Sequence, residues 1–126
     1  MRFDTEAVHG GYDPKEHRGS LVPPVYMNVA TLLDDCKTAE LIFGGQKEGM
    51  SYIRYGHENS VILEKKLALL DGGEDALTFA MGMAGIFLLL FHLLGKNGHL
   101  VSQRRVYGGT AVLFSKVLPR LGASVT

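Results

Sequence analysis

Cysteine is nearly absent from this sequence: Cys36 stands alone, so no internal disulfide can form. A charge excess is missing too. Lysine plus arginine number 13 and aspartate plus glutamate 13. Without the basic surplus that such binders carry, neither nucleic acid nor an anionic membrane is an expected partner. Nothing before Cys36 resembles a charged n-region followed by an apolar h-region, which fits a reducing, cytoplasmic setting. His9, His17, His57, His92 and His99 have no metal-like spacing with one another or with Cys36. Packing and surface roles are expected for them, with His92 a satisfied core histidine on an apolar helix. Ser102, Ser115 and Ser124 lack a Gly-x-Ser-x-Gly setting, which argues against a serine hydrolase.

An uninterrupted apolar span is also missing. A membrane-crossing helix needs about 20 apolar residues, and the stretch from Ala76 to Leu94 is broken by Gly82, Gly85 and His92 and preceded by Glu74-Asp75. Its first part reads as a buried strand, and its second as the buried helix of a larger α/β protein. With 126 residues the chain has the length of one ordinary domain, which buries roughly two-thirds of the surface its unfolded form exposes.

What is present is a sequence of turn signals around short periodic segments. From Met1 to about Val29, Gly10-Gly11, Asp13-Pro14, Gly19 and Pro23-Pro24 punctuate a segment without sustained period, and an extended arm is expected, lying on another surface such as a neighbouring subunit. Lys37 to Phe43 reads as a short helix ended by Gly44-Gly45. Asn59 or Ser60 is the expected cap of a helix in which Leu63, Leu67 and Leu70 share a face and which Gly72-Gly73 stops. A strand from Ala76 to Ala80, a helix to about Leu94, a strand from His99 to Gln103, a helix from Ala111 to Leu118 and a strand from Ala123 follow. Helices alternating with strands predict parallel strands joined by crossover helices. So few strands would leave edges and helix faces uncovered, so the chain reads as the front part of something larger.

Two stretches carry candidate chemistry. At Thr78-Phe79-Ala80-Met81-Gly82-Met83-Ala84-Gly85-Ile86 a strand feeds a helix, whose first N–H groups lack internal partners and can hold a phosphate. Gly82 would let a phosphate approach the backbone; the alternative is that Gly82 and Gly85 merely allow a tight turn and close packing. The glycines do not spell Gly-x-Gly-x-x-Gly, so a dinucleotide site is a poor reading of the same turn. In Tyr52-Ile53-Arg54-Tyr55, the planar donor fork of Arg54 suits a phosphate and Tyr52 adds a hydroxyl beside it; an exposed arginine with two packing aromatics is the plain alternative.

Taken in order, Ala7-Val8-His9-Gly10-Gly11, Pro23-Pro24-Val25-Tyr26, Tyr52-x-Arg54, Leu63-Glu64-x-x-Leu67-Ala68-x-Leu70-x-Gly72-Gly73-Glu74, Gly82-Met83-Ala84 and Tyr107-Gly108-Gly109-Thr110 resemble the amino-terminal third of the Cys/Met-metabolism family of pyridoxal-phosphate enzymes. The resemblance implies an α/β fold, the start of the mostly parallel-sheet large domain of a fold type I transferase. An extended arm and intersubunit segment would occupy residues 1–58, and the first part of the cofactor domain residues 59–126. It implies pyridoxal 5′-phosphate as cofactor, with Gly82 and Met83 giving N–H groups to its phosphate. Tyr107 would stack on its ring as the catalytic contact, and Tyr52 and Arg54 would reach the phosphate of a neighbouring subunit's cofactor. Sulfur amino acids or O-activated homoserines would be the substrates, and homotetramers the usual assembly.

Several positions depart from the family pattern. His57-Glu58-Asn59 stands where Asn-Pro-Thr is usual, Ala80-Met81 replaces a common serine pair, and Gly98 and Arg105 stand where aspartates are frequent. Methionine γ-lyases commonly carry cysteine at the position of Gly109, which disfavours that activity. None of Lys15, Lys37, Lys47, Lys65, Lys66, Lys96 or Lys116 matches the family's Schiff-base lysine. A companion chain or further residues would have to supply it. The alternative is a shortened, non-catalytic chain acting as an assembly or interaction module.

Overall fold

Glycines and short polar caps decide where the helices of this chain begin and end. A computed structural model describes residues 2–126, divided into two compact units, one running to Thr78 and the other from Phe79 to Thr126.

In the first unit, Phe3–His9 forms helix α1, so the amino-terminal segment is not extended throughout. No glycine or proline interrupts these residues, and Lys66 Nζ donates to the carbonyls of Ala7 and Val8 at 3.1 and 3.2 Å. A cation at a helix C-terminus meets both the orphan carbonyls and the negative end of the dipole. The arm's start therefore packs on this chain's own helix α3, Glu58–Asp71. Gly11 allows the close approach: its φ is +69°, and a Cβ there would lie 2.6 Å from the backbone nitrogen of Lys66. A single 3-10 turn, Pro14–His17, follows, capped by the Asp13 carboxylate, which accepts from the Lys15 N–H at 2.9 Å.

Helix α2 spans Cys36–Phe43. Its N-cap, Asp35, accepts from the Thr38 N–H at 2.7 Å, and this bond lowers the carboxyl pKa below its ordinary value. The N-cap of α3 is His57 rather than Asn59 or Ser60: its imidazole accepts from the Asn59 N–H at 3.3 Å. Gly72, at φ 66°, ends the helix in the left-handed conformation that glycine adopts without steric cost.

Residues 76–80 do not form the expected strand. Instead the Thr78 N–H and hydroxyl both donate to one oxygen of Glu64 at 2.8 Å. A strand exists only with a partner for its ladder, and Leu77 and Phe79 stay exposed.

The second unit begins with helix α4, Gly82–Leu94, followed by strand β1, His99–Leu100. Gly98 fits the turn between them because a Cβ there would collide with the Leu94 carbonyl oxygen. Helix α5 covers Gly108–Val112 and passes into a π turn, Leu113–Val117, and a 3-10 turn, Leu118–Leu121. The expected single helix over 111–118 thus starts earlier and changes pitch. Ser115 Oγ donates to the Ala111 carbonyl at 2.7 Å, competing with the regular ladder where the helix widens. Pro119 lies in the first turn of the 3-10 segment, where its missing N–H costs little.

Strand β2, Ser124–Val125, pairs with β1 in parallel, His99 opposite Ser124 and Leu100 opposite Val125. The pair, with its intervening helical crossover, is a short βαβ unit. Leu113, Leu118 and Ala123 are its buried centre, packed by Met83, Phe87, Leu90, Leu94, Leu100, Phe114 and Val125. No residue of α4 is fully buried, and His92 is exposed instead of lying in a core. No helix among the described residues is long and apolar enough to cross a membrane.

Candidate functional site

Helix α4 starts without a side-chain cap. Met81 takes the extended N-cap conformation, φ −139° and ψ 132°, yet its side chain makes no capping bond. Its carbonyl accepts from the Ala84 and Gly85 N–H groups at 3.0 and 3.4 Å. The N–H groups of Gly82 and Met83 are then the helix's outermost donors, at the positive end of its dipole. The first turn contains no acidic residue.

The two glycines of this turn have different reasons to be there. A Cβ on Gly85 would sit 3.0 Å from Phe79 Cδ2, so close packing accounts for it. A Cβ on Gly82 would meet nothing within 4 Å, and its φ is not positive. Neither packing nor backbone conformation calls for glycine at 82, and the place a Cβ would occupy is open.

Tyr107 precedes α5 and is 74% exposed. Its ring lies across Gly109: a Cβ there would be 2.7 Å from Tyr107 Cε1 and 3.4 Å from Met83 Sδ. Thr110 is buried, and its hydroxyl donates to Met83 Sδ at 3.6 Å. The structure therefore brings both Tyr107 and Met83 close to one glycine. Neither Thr110 nor the Gly109 contact was foreseen, since spacing along a sequence does not reveal which turns meet.

Tyr52 and Arg54 belong to the first unit. The Arg54 guanidinium carbon lies 5.3 Å from the Tyr52 ring centroid, within cation–π range. Tyr52 forms an isolated antiparallel bridge with Ala30, flanked by Thr31 N–H to Ser51 carbonyl at 3.0 Å and Ile53 N–H to Val29 carbonyl at 2.9 Å. Both side chains are exposed.

The tripeptide His57-Glu58-Asn59 anchors the same region. His57 is buried, and its Nε2 lies 3.1 Å from the Asn28 carbonyl and 3.0 Å from Asn28 Oδ1. Asn59 pairs reciprocally with Tyr26, Oδ1 accepting from its N–H at 3.0 Å and Nδ2 donating to its carbonyl at 2.9 Å. These residues were legible only as departures; the bonds they make depend on a segment about thirty positions earlier.

The second unit thus sets an uncapped helix start ahead of a short βαβ unit, an α/β arrangement. The profile of the Cys/Met metabolism PLP-dependent enzymes matches residues 4–126, and the chain belongs to that family. It is 36% identical over 108 residues to an L-methionine γ-lyase of Pseudomonas putida, covering 86% of this chain and 27% of that protein. It is also 36% identical over 125 residues to O-acetyl-L-homoserine sulfhydrylase 1 of Thermus thermophilus, covering 99% and 30%. Among solved structures it resembles a Campylobacter jejuni chain assigned as an O-acetylhomoserine (thiol)-lyase, which carries an N′-pyridoxyl-lysine-5′-monophosphate. That match has a TM-score of 0.86 and 29% identity, over 99% of this chain and 31% of the other. The metB structure of Corynebacterium glutamicum matches with TM-score 0.82 and 30% identity, over 100% and 31%. The chain thus spans less than a third of the length of each of these proteins.

Proposed function

We propose that the chain is the front portion of a fold type I pyridoxal-phosphate enzyme acting on sulfur amino acids or O-activated homoserines, by β- or γ-elimination or γ-replacement. Residues 59–126 begin the cofactor domain, and residues 1–58 form the arm and intersubunit segment of a homotetramer. Gly82 and Met83 donate N–H groups to the cofactor phosphate, and Tyr107 offers its ring face to the pyridine. Tyr52 and Arg54 reach toward the phosphate held by a neighbouring subunit.

The observation that carries this reading is Gly82, a glycine that no packing requires, opening onto the free donors of a helix start. The exposed Tyr107 ring close to Met83 suits a flat heteroaromatic partner. When bound, the cofactor supplies an electron sink for carbanion chemistry. The lysine that anchors it covalently lies outside these 126 residues, in the remainder of the fold or in a companion chain.

Borohydride reduction of the chain mixed with pyridoxal phosphate tests this division of labour. Mass spectrometry should find no lysine whose labelling is both site-specific and suppressed by phosphate. One such lysine would mean that this chain holds its own anchor, contrary to the proposal.

A second reading has its own support. Leu88, Leu89, Phe91 and Leu93 of α4 are all about half exposed or more, as expected of a module that docks on a full-length relative. Stable self-association with no response to pyridoxal phosphate would favour it.

A further inference from the structure

The start of α4 is poorly secured by the usual means. It has no side-chain cap, and glycines occupy its first and fourth positions, where helix propensity is low. Yet the phosphate grip needs the N–H groups of Gly82 and Met83 held in one direction. A fixed point exists one residue into the helix. The Met83 side chain packs on the Leu113, Leu118 and Ala123 centre, and its sulfur takes a hydrogen bond from the buried Thr110 hydroxyl at 3.6 Å.

We propose that Thr110 is a positioning residue for the cofactor phosphate: its hydroxyl holds the Met83 thioether and so keeps the first turn of α4 formed and aimed. This inference rests on the reading of Gly82 and Met83 as phosphate donors. Methionine has three rotatable side-chain bonds and fills irregular spaces in several ways, so a single donor selects among its rotamers. A helical threonine often bonds the carbonyl three or four residues back, but Thr110 turns its hydroxyl to sulfur, the weaker acceptor. Gly109 completes the arrangement. The position its Cβ would take lies 2.7 Å from Tyr107 Cε1 and 3.4 Å from the Met83 sulfur, so a bare backbone lets both groups approach. Thr110 thereby connects the phosphate end of the site to the ring end without touching the ligand.

The test compares Thr110→Val, which keeps the shape and loses the hydroxyl, with Thr110→Ser, which keeps the hydroxyl. Each is followed by the 13C shift of the Met83 ε-methyl, amide exchange at Met83 and Ala84, and titration with inorganic phosphate. In Thr110→Val the methyl shift should move to a rotamer-averaged value, and first-turn exchange should quicken. Phosphate affinity should fall about threefold to tenfold, the range of one modest hydrogen bond. Thr110→Ser should restore all three. Should Thr110→Val fail to fold by circular dichroism, Met83→Leu removes the acceptor, keeps the backbone N–H and should reproduce the faster first-turn exchange and the weaker phosphate binding. Wild-type phosphate binding and first-turn exchange in either variant, with an unchanged Met83 methyl shift in Thr110→Val, overturn the positioning role alone. Failure of the wild-type chain to bind phosphate overturns it together with the site reading.

Discussion

The imidazole of His57 reaches back 29 residues to Asn28, with Nε2 3.1 Å from its backbone carbonyl and 3.0 Å from its side-chain oxygen. Because Nδ1 accepts from the Asn59 N–H, the ring proton resides on Nε2 and is donated to Asn28. One side chain therefore caps α3 and fastens the strip that bridges Tyr52. His57→Ala should cost about 1–2 kcal/mol, the range of a lost N-cap, read from the midpoint of denaturant unfolding. His57→Asn should recover the cap but not the reach to Asn28. If alanine at 57 leaves the midpoint unchanged, the anchor is not structural.

Gly11 is constrained twice over, by a φ of +69° and by the Lys66 backbone 2.6 Å from where a Cβ would stand. Gly11→Ala should destabilise the chain by about 1–3 kcal/mol from backbone strain alone. Hydrogen exchange in α1 should rise as the helix lifts from α3. Unchanged protection of α1 would show that the two helices do not depend on this contact.

Asp35 gives a pH dependence with a definite sign. Its carboxyl is held below the ordinary 3.8 by the Thr38 N–H. The stabilisation is therefore present above that value and is lost as pH falls through the lowered folded value. Exchange protection of the Thr38 amide should fade on acidification, and Asp35→Ala should abolish the pH dependence. Protection that persists in the alanine variant would contradict the cap.

Helix existence was readable where local rules suffice. Gly44 and Gly72 end α2 and α3 as expected, and α4 starts at Gly82 and runs to Leu94. The misses are those that depend on a partner. Residues 76–80 carry a strand-like pattern but no ladder, and α1 is supported by a lysine nearly sixty positions away. His92 was placed in a core because its helix is apolar, but that helix buries none of its residues completely. Resemblance proposes Gly82, Met83 and Tyr107 as cofactor contacts from the sequence alone. The Thr110 link was not legible, because the two residues it joins are 27 apart and only the fold brings them together.

Proline separates the donor at position 82 from the helix it opens. It is favoured at the first helical position, and Met81 already has the extended conformation that a following proline requires. Gly82→Pro should keep helical circular dichroism and lower phosphate affinity about tenfold or more, as expected for one hydrogen bond to a charged group. Unaltered affinity would remove Gly82 from the site.

The most direct measurement is an amide-resolved titration of the 15N-labelled chain with inorganic phosphate and then with pyridoxal 5′-phosphate. The account predicts that both ligands shift the Gly82 and Met83 amides saturably. Only the second should also shift the Tyr107 ring resonances. Saturable binding that leaves Gly82 and Met83 unmoved, or shifts scattered over the surface lysines, would contradict the claim that the start of α4 holds the cofactor phosphate.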